Sequence, residues 1–389
     1  MNFVYLCPDF PPNFTLFSRR LAEAGVRVLG VGEAPLESFP SGLRQALSDY
    51  YRVPDMHCYD GLVRALGCLT HRHGKLDRLD SHAEYWLETE ARLRSDFNIP
   101  GIRAEAIGSM KSKSQMKEIF RQAGIKVAPG QVADHFEQAQ HFFRKIGRAI
   151  VAKPDIGVGA AGTYKIESLE QLRHFYSQQN RQGYFLEEYI QGELYSFDGL
   201  VDRDGQLVFA TCHHFSGGIM EIVNADEDIF YYSLREIPAD LEAAGRKLLK
   251  AYDLRERFFH FEFFRTHGDG QLVALEVNMR PPGGLTTDLF NYANDLDIYR
   301  EWANVVSQRG FQAHPQRPYH ACYVGRKDRK SYRYSPEAVQ HLLGPKLVHH
   351  ERISSLFARA IGDEGFILRS PNLQEVQEAA RLILETRQS

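Results

Sequence analysis

The stretch from Phe259 to Arg280 constrains this chain more than any other. It reads Phe259-His-Phe-Glu-Phe-Phe264, a polar turn His267-Gly-Asp-Gly270, then Leu272-Val-Ala-Leu-Glu-Val-Asn-Met-Arg280. Two apolar-rich runs around a glycine turn predict an antiparallel hairpin. Centred near Asp269, that hairpin sets Glu262 opposite Glu276, and alternation puts Glu276, Asn278 and Arg280 on one face. Facing carboxylates repel each other. A hard, oxygen-loving cation such as Mg²⁺ turns the repulsion into a binding site, with Asn278 as a third oxygen ligand. The plainer reading is a solvated strand face. Against it, the intervening Phe261, Phe263, Leu275 and Val277 are apolar, which predicts that the opposite face packs on a core.

The rest of the composition narrows the class. At 389 residues the chain has room for two or three domains. A formal net charge of −3 gives no global positive field to recruit nucleic acid or an anionic membrane. No apolar run approaches the roughly 18 residues that span a bilayer. The first residues, Met1-Asn-Phe-Val-Tyr-Leu-Cys-Pro8, lack the basic flank, apolar core and cleavage site of a signal peptide. Five scattered cysteines without a Cys-x-x-Cys pair fit reduced thiols in a cytoplasmic protein and argue against a structural zinc site.

Along the chain, Phe3–Leu6 and Val26–Val31 read as buried strands around a helix, Leu16–Ala24, that ends at Gly25. Tyr59–His73 predicts a second helix, Leu76–Leu79 a strand and Glu84–Asp96 a third helix. That order implies a parallel sheet flanked by helices over residues 1–110. Residues 126–190 alternate short strands and helices and form a compact α+β unit able to move as a body, inside a segment 111–310 that ends beyond the hairpin. Residues 311–389 read as a small α/β extension.

Several residues in this order suit a nucleotide. Gly157-Val-Gly-Ala-Ala-Gly162 is a loop whose backbone N–H groups can wrap phosphate oxygens. It lacks the lysine of a P-loop and leads into a strand, which disfavours Walker and Rossmann chemistry. Lys153 ends the strand just before the loop, and Lys113 opens a helix upstream; either is as readily a solvated lysine as a phosphate ligand. Glu187-Glu-Tyr-Ile190 follows a short apolar strand, where a carboxylate and the backbone after it can meet a purine edge.

Taken in order, Lys113, Ala123-Gly124, Lys153-Pro154, the glycine loop, Glu187-Glu-Tyr-Ile-x-Gly192, Glu262 and Glu276-Val-Asn-x-Arg280 resemble the ATP-grasp superfamily, nearer its carboxylate–amine ligases. The resemblance implies an α/β ATP-grasp fold: an N-terminal parallel-sheet domain, a mobile α+β lid and a metal-bearing antiparallel sheet. It implies that Lys113 and Lys153 contact ATP phosphates under a loop carrying Gly157, Gly159 and Gly162. It further implies that Glu187, Glu188 and Ile190 surround adenine, that Glu262, Glu276 and Asn278 hold Mg²⁺ (or Mn²⁺), and that Arg280 stabilises the transferring phosphoryl group. The family's ribose glutamate would fall at Leu194; Glu193 beside it is the candidate, although a one-residue shift reverses a strand side chain. The implied reaction joins a small-molecule carboxylate to an amine through an acyl phosphate, releasing ADP and phosphate, in a protein that is a possible homodimer. An ATP-dependent phosphotransferase and a non-catalytic nucleotide-binding regulator are the alternatives. On the acceptor side, His213, His214, Arg265, Arg280 and the Gly283-Gly284 turn are candidates.

Overall fold

In the computed structural model, residues 1–157, 162–178, 182–218 and 227–387 are described. Three sheets organise them. The first is parallel, in the order β3-β2-β1-β4, from β1 (Asn2–Leu6), β2 (Arg27–Gly32), β3 (Leu47–Arg52) and β4 (Arg78–Asp80). β1 is buried along its whole length, as a central parallel strand covered on both faces requires.

The second sheet belongs to the lid-like unit. Its strands β5 (Gly130–Val132), β6 (Ile150–Pro154), β7 (Tyr164–Ile166) and β8 (Tyr184–Glu188) run in the order β5-β8-β6-β7, all antiparallel. Helices Phe136–Ile146 and Leu169–Ser177 cover one face, packing Ala139, Phe142, Leu172 and Phe175 on Ile150, Ala152 and Leu186. Local chemistry sets these helices: the Ser168 hydroxyl accepts from the Gln171 N–H at 3.1 Å, and Gly147 stops its helix in the left-handed conformation at φ 69°.

The third sheet has eight strands. They are β9 (Gly192–Val201), β10 (Leu207–Phe215), β11 (Ile229–Ser233), β12 (Arg257–Thr266), β13 (Leu272–Asn278), β14 (His320–Arg326), β15 (Leu347–Arg352) and β16 (Glu364–Ser370), in the order β13-β12-β9-β10-β11-β14-β16-β15. The strands after residue 311 thus extend the hairpin's own sheet through β11–β14 pairing instead of forming a separate layer. The lid unit meets the sheet at its β13 edge, where the Ala274 N–H donates to the Lys126 carbonyl at 2.9 Å. Phe3, Phe14 and Phe17 of the N-terminal layer share a core with Phe258, Phe290 and Trp302. Among the described residues no helix is long and apolar enough to cross a membrane.

Candidate active site

The hairpin forms with the register its turn predicts: Glu262 pairs with Glu276 and His260 with Asn278. A β-bulge follows, because Phe263 pairs with Ala274 and leaves Leu275 as the extra residue. The bulge corrects one expectation. Leu275 joins Glu276 along the cavity instead of packing behind the sheet with Val277, which is buried.

Above this face lies a cavity of about 380 Å³ between the lid unit and the large sheet. Glu262, Glu276, Asn278 and Arg280 all line it, together with Lys113, Lys153, Glu187, Glu188 and Ile190. Gly159 lies outside the described residues. Gly157 and Gly162 flank the loop; Gly162 has φ +73°, and a Cβ there would come 3.3 Å from Pro154 and from the Tyr184 hydroxyl.

The lysines are fixed by the protein's own groups. Helix Lys113–Gln122 begins at Ser112, whose hydroxyl caps it by accepting from the Gln115 N–H at 3.3 Å. Asp155, just past β6, pins that helix end by accepting from the Ser112 hydroxyl and the Ser114 N–H, each at 2.7 Å. Lys113 and Lys117 are one turn apart on this helix and both are buried. Lys117, which sequence reasoning missed, donates to the Ala274 carbonyl at 3.0 Å and pairs with Glu187 at 3.0 Å. Lys153 pairs with the other Glu187 oxygen. Burial alone would raise the Glu187 pKa, but Lys117 and Lys153 bring it down to about 2. Burial pulls Lys117 down to about 8 against the attraction of Glu187, and burial likewise lowers Lys113, which Glu276 partly restores. Lys153 bonds one Glu187 oxygen, while the other faces Lys117 as an ion pair and has no hydrogen-bond donor among the described residues.

Arg280 also has a partner that the sequence did not reveal. Its guanidinium meets Glu84 of the N-terminal layer at 2.7 Å and donates to the Pro281 carbonyl at 3.0 Å. Behind Glu262 stands a buried chain: Glu262 lies 3.3 Å from His260 Nε2, and His260 Nδ1 lies 2.5 Å from Asp198. Asp198 takes a second contact from His213 at 2.7 Å. Burial opposes a charge on His260, but Asp198 and then Glu262 hold its pKa up, to about 10.

Other expectations fail on strand parity. Glu193 is exposed, accepts from the Tyr195 hydroxyl at 3.1 Å and faces His214 at 3.4 Å, on the side of β9 away from the cavity. Leu194 occupies the cavity position, so Glu193 is not placed to bind ribose. His214 and Arg265 share that outer face, Arg265 paired with Asp240 at 2.9 Å, and His213 is buried on Asp198. Only Arg280, Gly283 and Gly284 of the acceptor candidates reach the cavity.

Among the described residues there is no cluster of three His, Cys, Asp or Glu side chains able to hold a metal. What the face offers is two opposed carboxylates and an amide, Glu262, Glu276 and Asn278. That set suits a hard divalent cation whose remaining ligands come from phosphate and water.

Residues 146–288 match the family model described as the ATP-grasp domain. An L-arginine-specific L-amino acid ligase from Bacillus subtilis is 25% identical over 245 residues. That alignment covers 61% of this chain and 59% of the relative, so the chain spans about three fifths of the curated relative it matches. The crystal structure of an L-amino acid ligase from Bacillus licheniformis superposes with a TM-score of 0.73 at 13% identity, covering 98% of this chain and 96% of that one. The biotin carboxylase domain of a Hydrogenobacter thermophilus 2-oxoglutarate carboxylase, solved with MgADP and bicarbonate, gives 0.73 at 18% identity over 99% and 90%. At such identities the two structures speak for the fold alone. Sequence match, fold and motif order agree on an ATP-grasp domain over residues 146–288.

Proposed function

We propose that this protein is an ATP-dependent ligase that joins a small-molecule carboxylate to an amine. The observation that carries the reading is the meeting, in one cavity, of three buried lysines with Glu262, Glu276, Asn278 and Arg280. Lys113, Lys117 and Lys153 bind the phosphates, and the glycine loop closes over them. Glu262, Glu276 and Asn278 would hold Mg²⁺, which would supply charge neutralisation to the phosphates. A substrate carboxylate oxygen attacks the γ-phosphorus, the bond to the β–γ bridging oxygen breaks, and ADP leaves. Arg280 turns from Glu84 to the phosphoryl oxygens as their charge grows. The amine then attacks the acyl carbon, phosphate leaves, and the amine gives up a proton as the amide forms. A closed lid keeps water from the acyl phosphate. The work divides among an N-terminal layer (1–110), an ATP-grasp segment (111–310, lid about 126–190) and a C-terminal segment (311–389).

The test pairs carboxylates with amines and reads ADP, phosphate and coupled product by mass spectrometry. ADP and phosphate in equal amounts with an amide are expected, with turnover lost in Glu276→Gln. AMP with pyrophosphate overturns the mechanism. A phosphorylated product formed without an amine identifies a phosphotransferase instead.

A further inference from the structure

The charged groups of the cavity are unevenly placed along the large sheet. At the β13 edge it lies under the lid strands and carries the charged groups Lys117, Lys153 and Glu187 among apolar side chains such as Val151 and Leu275. Past the Glu262–Glu276 pair it ends against Phe215 of β10, Ile229 and Tyr231 of β11, and Phe357, Ala360 and Ile361 of the helix Ser355–Ile361. The order β13-β12-β9-β10-β11 separates the two ends by four strand spacings, each about 4.8 Å. A nucleotide at the lysines therefore leaves the far end for a second molecule.

That far end is a built wall. Phe215 stacks on Tyr231 at 5.0 Å, and Tyr231 on Tyr323 at 5.2 Å. The Tyr231 hydroxyl is fixed against the Thr286 hydroxyl at 2.8 Å, and Phe357 stacks on Phe10 of the N-terminal layer at 5.5 Å. At Gly284 (φ +64°) a Cβ would come 2.8 Å from Ile361 Cδ1, so this turn passes close beneath the apolar wall. The carboxylates that line the cavity, Glu84, Glu187, Glu188, Glu262 and Glu276, lie on the nucleotide side or beside Arg280. Among the described residues none faces the far end.

We propose that this far end binds the side chain of a carboxylic or amino acid substrate and selects branched aliphatic and aromatic groups, with the acid's polar head turned to Arg280. Burial of apolar area supplies the affinity, and among the described residues a cationic side chain would meet no carboxylate there to replace its lost water. Leucine and phenylalanine fit; arginine, the substrate named for the Bacillus subtilis relative, does not. What the bound molecule is used for rests on the ligase reading; where it binds does not.

Calorimetry on the full chain, loaded with a non-hydrolysable ATP analogue and Mg²⁺, separates the two. L-leucine or L-phenylalanine should bind at least about ten-fold more tightly than L-arginine or L-glutamate. Ile361→Asp should remove most of that preference while the analogue binds as before. Ala360→Leu, which keeps the wall apolar, should shift preference toward the smaller side chain. Equal or tighter binding of arginine or glutamate, or an Ile361→Asp variant that keeps the full preference, overturns the inference. Apolar binding without any amide product supports the pocket assignment and sinks the ligase reading instead.

Discussion

Glu187 illustrates how this site keeps itself assembled. A carboxylate this deeply buried is tolerable only because Lys117 and Lys153 take its two oxygens. Its pKa lies at about 2 in the folded chain against an ordinary 4.5, so between those values the unfolded state binds more protons. Stability from the pair is therefore complete above about pH 4.5 and is lost as the pH falls through about 2. The wild-type advantage over Glu187→Gln in denaturant melts should follow that course, reaching at most roughly 3 kcal/mol near neutrality. A gap between the two proteins that does not change between pH 6 and pH 2.5 would show that the lysines do not hold the carboxylate as described.

At the scale of elements, the lid is a four-stranded sheet with its own core, joined to the large sheet along β13. Its lysine sits on β6 and its partner Glu187 on β8, adjacent strands paired at Val151 and Glu187. Adding a non-hydrolysable ATP analogue with Mg²⁺ should slow amide exchange in peptides covering β6, β7 and β8, and Lys153→Ala should abolish the effect. Tight binding of the analogue with unchanged exchange would mean that the lid does not close. How far such elements can be read from sequence depends on whether their signal is local. The facing of Glu262 and Glu276 was legible because a short glycine turn fixes register between neighbouring strands. The bulge at Leu275 was not, since nothing in Leu-Glu-Val-Asn marks an extra residue. Leu47–Arg52 escaped notice as a strand, its Ser-Asp-Tyr-Tyr-Arg being too polar to announce one that pairs with β2. Lys117 looked like any helical lysine, and only the return of β8 and β13 shows that it is buried. Glu84 and Arg280 are distant in sequence, and their contact needs two layers brought together.

For the whole molecule, the layers are not independent. Trp302, in the helix Ile298–Val306, packs edge-on to Phe3 at 5.5 Å and Phe17 at 5.0 Å and is 2% exposed. Trp302→Ala should cost about 3–5 kcal/mol, and it should lower the melting of the N-terminal layer and the large sheet together, as one transition in calorimetry. Two separate transitions, with only one shifted, would show that the shared core does not couple them. A last consequence follows from the helix Ser355–Ile361. None of its residues is fully buried and Leu356 is 75% exposed, yet three of its side chains wall the cavity. Leu356 can therefore change without disturbing the sheet beneath, whereas Ile361, whose carbonyl accepts from the Tyr323 hydroxyl at 2.8 Å, is tied to β14. Descendants of this chain are thus freest to vary on the outer side of that helix and most constrained at the turn where it meets the sheet.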